Sequence, residues 1–403
     1  MGLAQAINMS CGQTDLYPEC LEAMGRQLGS PIYYPDYREA EVRAIDLLKL
    51  MMNTKNDVLL LDGSATYGEE ACMVSAIEPG QKVLTVNTGT FGQVLTDIAR
   101  IVGAQAVEIR KEIGESVDPA EIRQALEADP EIKMVAVVHA ETSTGTLNHV
   151  DKIGEVMKDF PGVLYMVDAV SSLSAMEIRA DDWGIDFLCS SPQKCMSAPQ
   201  GLAIVAVSPK GWNAIEGRST PINSLCLDLT VWRRYHNSTR RVHETGASRD
   251  VSFHEGAKAA HGPSPTYVLV KAVRASVEAI FEEGLGNVYR RHRVAGKAVR
   301  GALRAMGLGV LAKKEEDAAP QATRIIFPHE LSAEESDRLT KIMWSRYHVA
   351  IGGQRIGTMG MVASPKYVLP TIYALGQALM EMGFEVNPAA GLAAAQAAFA
   401  AGE

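Results

Sequence analysis

Short, unbroken apolar runs recur through the first half of the chain, each beside a longer stretch with helical spacing. Val58-Leu59-Leu60-Leu61 leads through a glycine turn into a helical pattern reaching Ile77. Lys82-Val83-Leu84-Thr85-Val86 precedes another, from Gly92 to Val102. Met134-Val135-Ala136-Val137-Val138 follows the helical segment Pro119 to Glu127, and Val163-Leu164-Tyr165-Met166-Val167 follows Val150 to Lys158. Phe187-Leu188-Cys189 and Leu202-Ala203-Ile204-Val205-Ala206-Val207 complete the series. Runs that are apolar at every position, rather than every second one, predict strands covered on both faces. Their alternation with helices predicts an α/β fold with a mostly parallel sheet and right-handed crossovers.

After about residue 265 the rhythm changes. Helices are expected at Tyr267 to Glu283, Val288 to Met306 and Leu369 to Met382, with strands at Ala322 to Phe327 and His348 to Ile351. This pattern reads as a smaller α+β domain. The expected division is an N-terminal arm (1–18), a large domain (19–283) and a small C-terminal domain (284–403). The Ala-rich tail from Asn387 to Glu403 reads as a frayed helix.

Composition narrows the function classes. With 39 basic and 48 acidic residues the formal charge is −9, which offers little general attraction to nucleic-acid phosphates. The one dense basic run, Arg233-Arg234-Tyr235-His236 with Arg240-Arg241, reads as a solvated or subunit-facing surface. Six scattered cysteines, with no C-x-x-C pair and no zinc-like spacing, argue against a metal site and for a reducing compartment. The N-terminus lacks the basic and apolar regions of a signal peptide. The apolar stretch from Tyr367 to Phe384 is broken by Pro370, Gln377 and Glu381, so no membrane span is expected. A cytoplasmic location follows.

Four features carry chemistry. Gly63-Ser64-Ala65-Thr66 turns from a strand into a helix, where free amides and two hydroxyls make a phosphate cradle; an N-cap explains Ser64 equally well. Asp168 closes an apolar strand, where an unpaired carboxylate is costly; it is either a cap or the counter-ion of a cationic ring nitrogen. Lys194, in Ser190-Ser191-Pro192-Gln193-Lys194, lies between two buried strands, and desolvation frees its amine as a nucleophile toward an aldehyde. Arg355, in Gly352-Gly353-Gln354-Arg355-Ile356-Gly357, suits bidentate grip of a carboxylate. Three of the four fall after strands, at the sheet edge where ligands gather in open parallel sheets.

Val167-Asp168-Ala169-Val170-Ser171-Ser172, Ser191-Pro192-Gln193-Lys194 and Ala198-Pro199-Gln200-Gly201 together resemble the class V, fold-type I aminotransferases, which use pyridoxal 5′-phosphate (PLP). The resemblance is strongest to the alanine–glyoxylate and serine–pyruvate enzymes. It extends through Gly12-Gln13-Thr14, Asn87-Thr88-Gly89-Thr90-Phe91-Gly92, His139 to Gly145, and Arg355-Ile356-Gly357-Thr358-Met359-Gly360. It implies a seven-stranded sheet and a homodimer. It implies that Lys194 carries the cofactor as a Schiff base and shuttles a proton, and that Asp168 pairs with the pyridine nitrogen. Phe91 and Val170 would pack on the two ring faces, and Thr142 would face the ring or its 3′-oxygen. Ser64, Ala65 and Thr66, with Gln193 nearby, would hold the phosphate, and Arg355 the substrate carboxylate. The implied reaction moves an amino group from an alanine- or serine-type amino acid to a 2-oxo acid such as glyoxylate or pyruvate.

The sequence departs from the family pattern twice. Gly352-Gly353-Gln354 runs directly into Arg355, where relatives carry a longer glycine-rich loop. His261-Gly262-Pro263-Ser264 has glycine where relatives carry the hydroxyl that reaches a partner subunit's phosphate, leaving His261 or Ser264 to substitute. Tyr17-Pro18-Glu19 and Tyr33-Tyr34 are similar to pyridoxamine–pyruvate transaminase, although Ser64 stands where that enzyme has an acidic residue. Ureidoglycine–glyoxylate and 2-aminoethylphosphonate transamination stay open, as does a PLP lyase or desulfurase, for which Cys226 is the one loop cysteine to consider.

Overall fold

The computed structural model describes residues 6–26, 35–246 and 265–402. The main sheet has seven strands: β2 (Asp57–Asp62), β3 (Lys82–Asn87), β4 (Gln105–Arg110), β5 (Ile132–Val138), β8 (Leu164–Asp168), β9 (Phe187–Ser190) and β10 (Leu202–Val207). Their spatial order is β2-β10-β9-β8-β5-β3-β4. Pairings are parallel throughout except for β10, which runs antiparallel to both β2 and β9. A two-stranded ribbon, β6 (Ala140–Glu141) with β7 (Thr146–Leu147), caps the turn after β5.

Both faces of the sheet are covered, as the unbroken apolar runs require. Val135, Val137, Tyr165, Val167 and Leu188 belong to one core. Their neighbours Met134, Ala136, Met166, Phe187 and Cys189 belong to another on the opposite face. Each large apolar side chain buried this way contributes about 1.5–3 kcal/mol. β4 was not foreseen. Gln105, Glu108 and Arg110 interrupt its apolar residues, which are only partly buried, as suits an edge strand.

The C-terminal region has its own core, around Val299, Leu303, Ile325, Ile356 and Leu375. It contains the antiparallel sheet β11 (Gly309–Val310), β12 (Ala322–Ile326) and β14 (Arg355–Gly357). The first strand of the chain, β1 (Ile7–Met9), pairs in parallel with β13 (Val349–Ile351). The expected frayed tail is instead a packed helix, Pro388–Ala401. Gly391 lets it approach Met306 and Ala302 closely, where a Cβ would collide.

The basic run is in part tied into the fold. It lies on the helix Leu229–Thr245, where Arg233 bonds Asp57 and Glu216, both at 2.9 Å, and Arg240 pairs with Asp46 at 2.5 Å. His236 turns inward and meets the buried Glu41 at 2.8 Å. Arg233 and Arg240 are therefore neutralised within the fold, while Arg234 and Arg241 stay exposed. No helix among the described residues is long and apolar enough to cross a membrane.

Candidate active site

A cavity of about 190 Å³ opens at the C-terminal edge of the main sheet. Five of its sides come from different parts of the chain. Cys11, Gly12 and Gln13 come from the N-terminal arm; Ser64, Ala65, Thr66 and Glu69 from the turn and helix after β2. Phe91 comes from the helix after β3, Asp168 and Val170 from the end of β8, and Gln193, Lys194 and Gln200 from the β9–β10 connection. Eight of the ten residues singled out from the sequence thus line one cavity. Thr142 and Arg355 adjoin it: Thr142 Oγ1 lies 3.3 Å from Lys194 Nζ, and Arg355 Nη1 donates to the Thr142 carbonyl at 3.2 Å.

Lys194 is buried. Its amine donates to Ser171 Oγ at 2.8 Å and stands 4.8 Å from the centre of the Phe91 ring. Burial pulls its pKa below the usual lysine range, and Asp168 opposes that pull. The neutral amine needed for nucleophilic attack is accordingly favoured.

Asp168 is also buried. One of its oxygens accepts the Val170 amide at 2.8 Å. Burial raises its pKa to about 6; the Val170 bond and Lys194 hold the rise in check. No hydroxyl or amide among the described residues reaches the second oxygen, so this carboxylate has room for a cationic partner.

Phe91 is positioned by Glu141, a fully buried carboxylate. Its two oxygens accept the amides of Phe91 at 2.9 Å, Gly92 at 3.0 Å and Ser143 at 3.0 Å. An acid at this helix N-terminus satisfies amides that would otherwise be orphaned. Gly89 is required here because a Cβ would run into Ser143 and Glu141.

Ser64 occupies the N-cap position of the helix Ala65–Ala76 but makes no capping hydrogen bond with its side chain. Among the described residues the Ala65 and Thr66 amides have no acceptor either. Gly63, at φ +143°, makes the turn, and a Cβ there would strike Tyr67. The residues present fit PLP: unclaimed donors at a helix N-terminus for the phosphate, an under-bonded carboxylate for the ring nitrogen, and a desolvated lysine for the aldehyde.

Glu69 was missed in the sequence. It sits on the buried face of the same helix, and burial together with Asp168 pushes its carboxyl well above the usual range, which favours the uncharged form. The available signal was an acid one turn after Ala65 on a face otherwise built from Cys72, Met73 and Ala76. His261 and Ser264, considered for the partner's phosphate, and Tyr33-Tyr34 lie outside the described residues.

Residues 43–236 match the family model described as aminotransferase class-V. An uncharacterized aminotransferase of Methanocaldococcus jannaschii is 32% identical, over 93% of this chain and 93% of its own. A serine–glyoxylate aminotransferase of Methylorubrum extorquens is 30% identical, over 87% of this chain and 85% of its own. The crystal structure of a pyridoxamine–pyruvate aminotransferase from Mesorhizobium loti superposes with a TM-score of 0.88 at 28% identity, covering 100% of this chain and 99% of that one.

Proposed function

The chain belongs to the class-V aminotransferases and is a PLP-dependent transaminase; from that premise we propose that it moves an amino group from a small amino acid, of the alanine or serine type, to a 2-oxo acid such as glyoxylate or pyruvate. The observation that carries this reading is the environment of Lys194: a buried amine held by Ser171 and Thr142, facing Phe91, with Asp168 as its neighbouring acid. When bound, PLP supplies an electron-accepting ring for the bond that breaks at the donor's Cα.

The chain's own residues do the rest. In this reading Lys194 would hold PLP through its aldehyde, and its amine would accept the proton from the donor's Cα as general base. Asp168 faces the ring nitrogen as counter-ion, and Phe91 and Val170 cover the ring faces. Ser64, Ala65, Thr66 and Gln193 hold the phosphate, and Thr142 orients the amine of Lys194. Arg355, with guanidinium donors to spare after the Thr142 carbonyl, grips the substrate carboxylate. Division into an arm (1–18), a large domain (19–283) and a small domain (284–403), a homodimer, and a cytoplasmic location belong to the same reading. The desulfurase alternative has no support beyond the exposure of Cys226.

The test is an absorbance scan of the purified protein with a donor panel. A visible-edge band that shifts on adding L-alanine or L-serine, with 2-oxo acid released, supports the proposal. A panel including ureidoglycine, pyridoxamine and 2-aminoethylphosphonate separates the related reactions. A protein that shows no chromophore, even after incubation with PLP, sinks it.

A further inference from the structure

Arg355 has a twin. In the register of β12 with β14, Arg324 stands directly opposite Arg355. Cross-strand partners project from the same face of a sheet, with Cβ atoms about 4.5–5.5 Å apart. The other face belongs to the small-domain core: Ile325 and Ile356 are buried in it. Both guanidiniums therefore leave the sheet toward the turn that follows β6. There they bond consecutive carbonyls, Arg355 Nη1 to Thr142 at 3.2 Å and Arg324 Nη1 to Ser143 at 3.1 Å. The Thr142 hydroxyl is the one that touches Lys194.

Like charges facing each other across a ladder destabilise it. Among the described residues neither arginine forms an ion pair. The acid in the adjoining turn, Glu141, is already committed to three backbone amides. Each guanidinium has five N–H donors, and one bond of each is accounted for. A bond to a carbonyl needs no charge, so anchoring of the turn alone does not explain a second cation. The single bonds instead hold the two planes in place with their remaining donors free. A half-buried pair of cations accommodates two acidic groups, one more than a monocarboxylic donor brings.

We propose that Arg324 is a second acid-binding residue of this site, and that one of the two substrates is a dicarboxylic 2-amino or 2-oxo acid of the aspartate or glutamate class. Its α-carboxylate meets Arg355 and its distal carboxylate meets Arg324, while glyoxylate or pyruvate serves the other half of the reaction. The inference rests on the transaminase reading above and gives one of its two substrates a second acidic group, in place of a pair of monocarboxylic acids.

The experiment compares the holoenzyme with Arg324→Gln and Arg324→Lys on aspartate, glutamate, asparagine, glutamine, alanine and serine, with glyoxylate as acceptor. Aspartate or glutamate is expected to exceed its amide by at least tenfold in kcat/KM. Arg324→Gln is expected to lower the acid-to-amide ratio about tenfold to hundredfold, mainly through KM, as loss of a hydrogen bond to a charged group predicts. Arg324→Lys should restore part of the ratio. Succinate or glutarate should compete with the donor more strongly than butyrate, and lose that advantage in Arg324→Gln. Turnover of alanine and serine, with the acids no better than their amides or the ratio unmoved in Arg324→Gln, overturns this inference and leaves the transaminase reading standing. No 2-oxo acid from any donor overturns that reading, and this inference with it.

Discussion

At the start of β9, the buried Asp186 accepts hydrogen bonds from the Tyr165 amide at 2.9 Å and the Ser208 hydroxyl at 2.7 Å, and Lys210 Nζ lies 2.9 Å away. Past the other end of the same strand, Lys194 has two hydroxyls, and on the neighbouring strand Asp168 has one amide. Both ends bury charge, yet only one end completes its bonding within the chain. Burying charge without partners costs free energy, so the incomplete end is worth keeping only where a ligand completes it. The difference separates a carboxylate that holds the fold from one that waits for chemistry.

Four measurements would break or sharpen this contrast. Largest is Lys194→Ala, expected to lower turnover by at least about 10³-fold, since it removes both nucleophile and proton acceptor. Its thermal midpoint without cofactor should not fall. Substantial activity in this variant would refute the role of Lys194. Next, Asp186→Ala should cost about 2–4 kcal/mol in urea denaturation, because it strands the buried Tyr165 amide and Ser208 hydroxyl. A loss under about 0.5 kcal/mol would erase the distinction between the two ends.

The third measurement uses pH. The folded pKa of Asp168, about 6, lies above its unfolded value of 3.8. A raised pKa means the native state binds the extra proton, so this stabilisation is complete below 3.8 and is lost as pH rises through 6. Cofactor-free protein should therefore lose stability, relative to its Asp168→Asn variant, between about pH 4 and 6. A pH-independent difference would show that Asp168 is not desolvated. The smallest effect is expected from Glu69→Gln. Burial favours the uncharged carboxyl, which an amide mimics, so stability should change by less than about 1 kcal/mol. A larger drop in the urea midpoint would mean that Glu69 is ionised and held by a cation.

The sequence displayed the covered strands and the residues after them, because both are local signals. Runs of three to six consecutive apolar residues mark strands buried on two faces; Asp168 follows such a run directly and Ser64 lies three residues past one. Lys194 became readable through its spacing from Asp168. Long-range pairings were hidden. Nothing in Leu202 to Val207 reveals that β10 runs against its neighbours, and the opposition of Arg324 to Arg355 depends on a register set by turns. β4 was missed because Gln105, Glu108 and Arg110 interrupt its apolar residues. The tail reads as frayed because polyalanine shows no stripe, although small residues suffice for close packing against Met306.

The pairing of β1 with β13 joins the earliest-made strand to one of the last. At about 5–20 residues per second, a ribosome finishes Ile7–Met9 on the order of tens of seconds before Val349–Ile351 exists. Until then Cys11, Gly12 and Gln13 have no strand partner to hold their segment against the pocket. That wall is thus completed late in biosynthesis, as a seal applied at the end: a nascent chain interrupted before Val349 would carry Lys194 and Asp168, with the arm tied to Gln193 and Gln200 but without its strand partner.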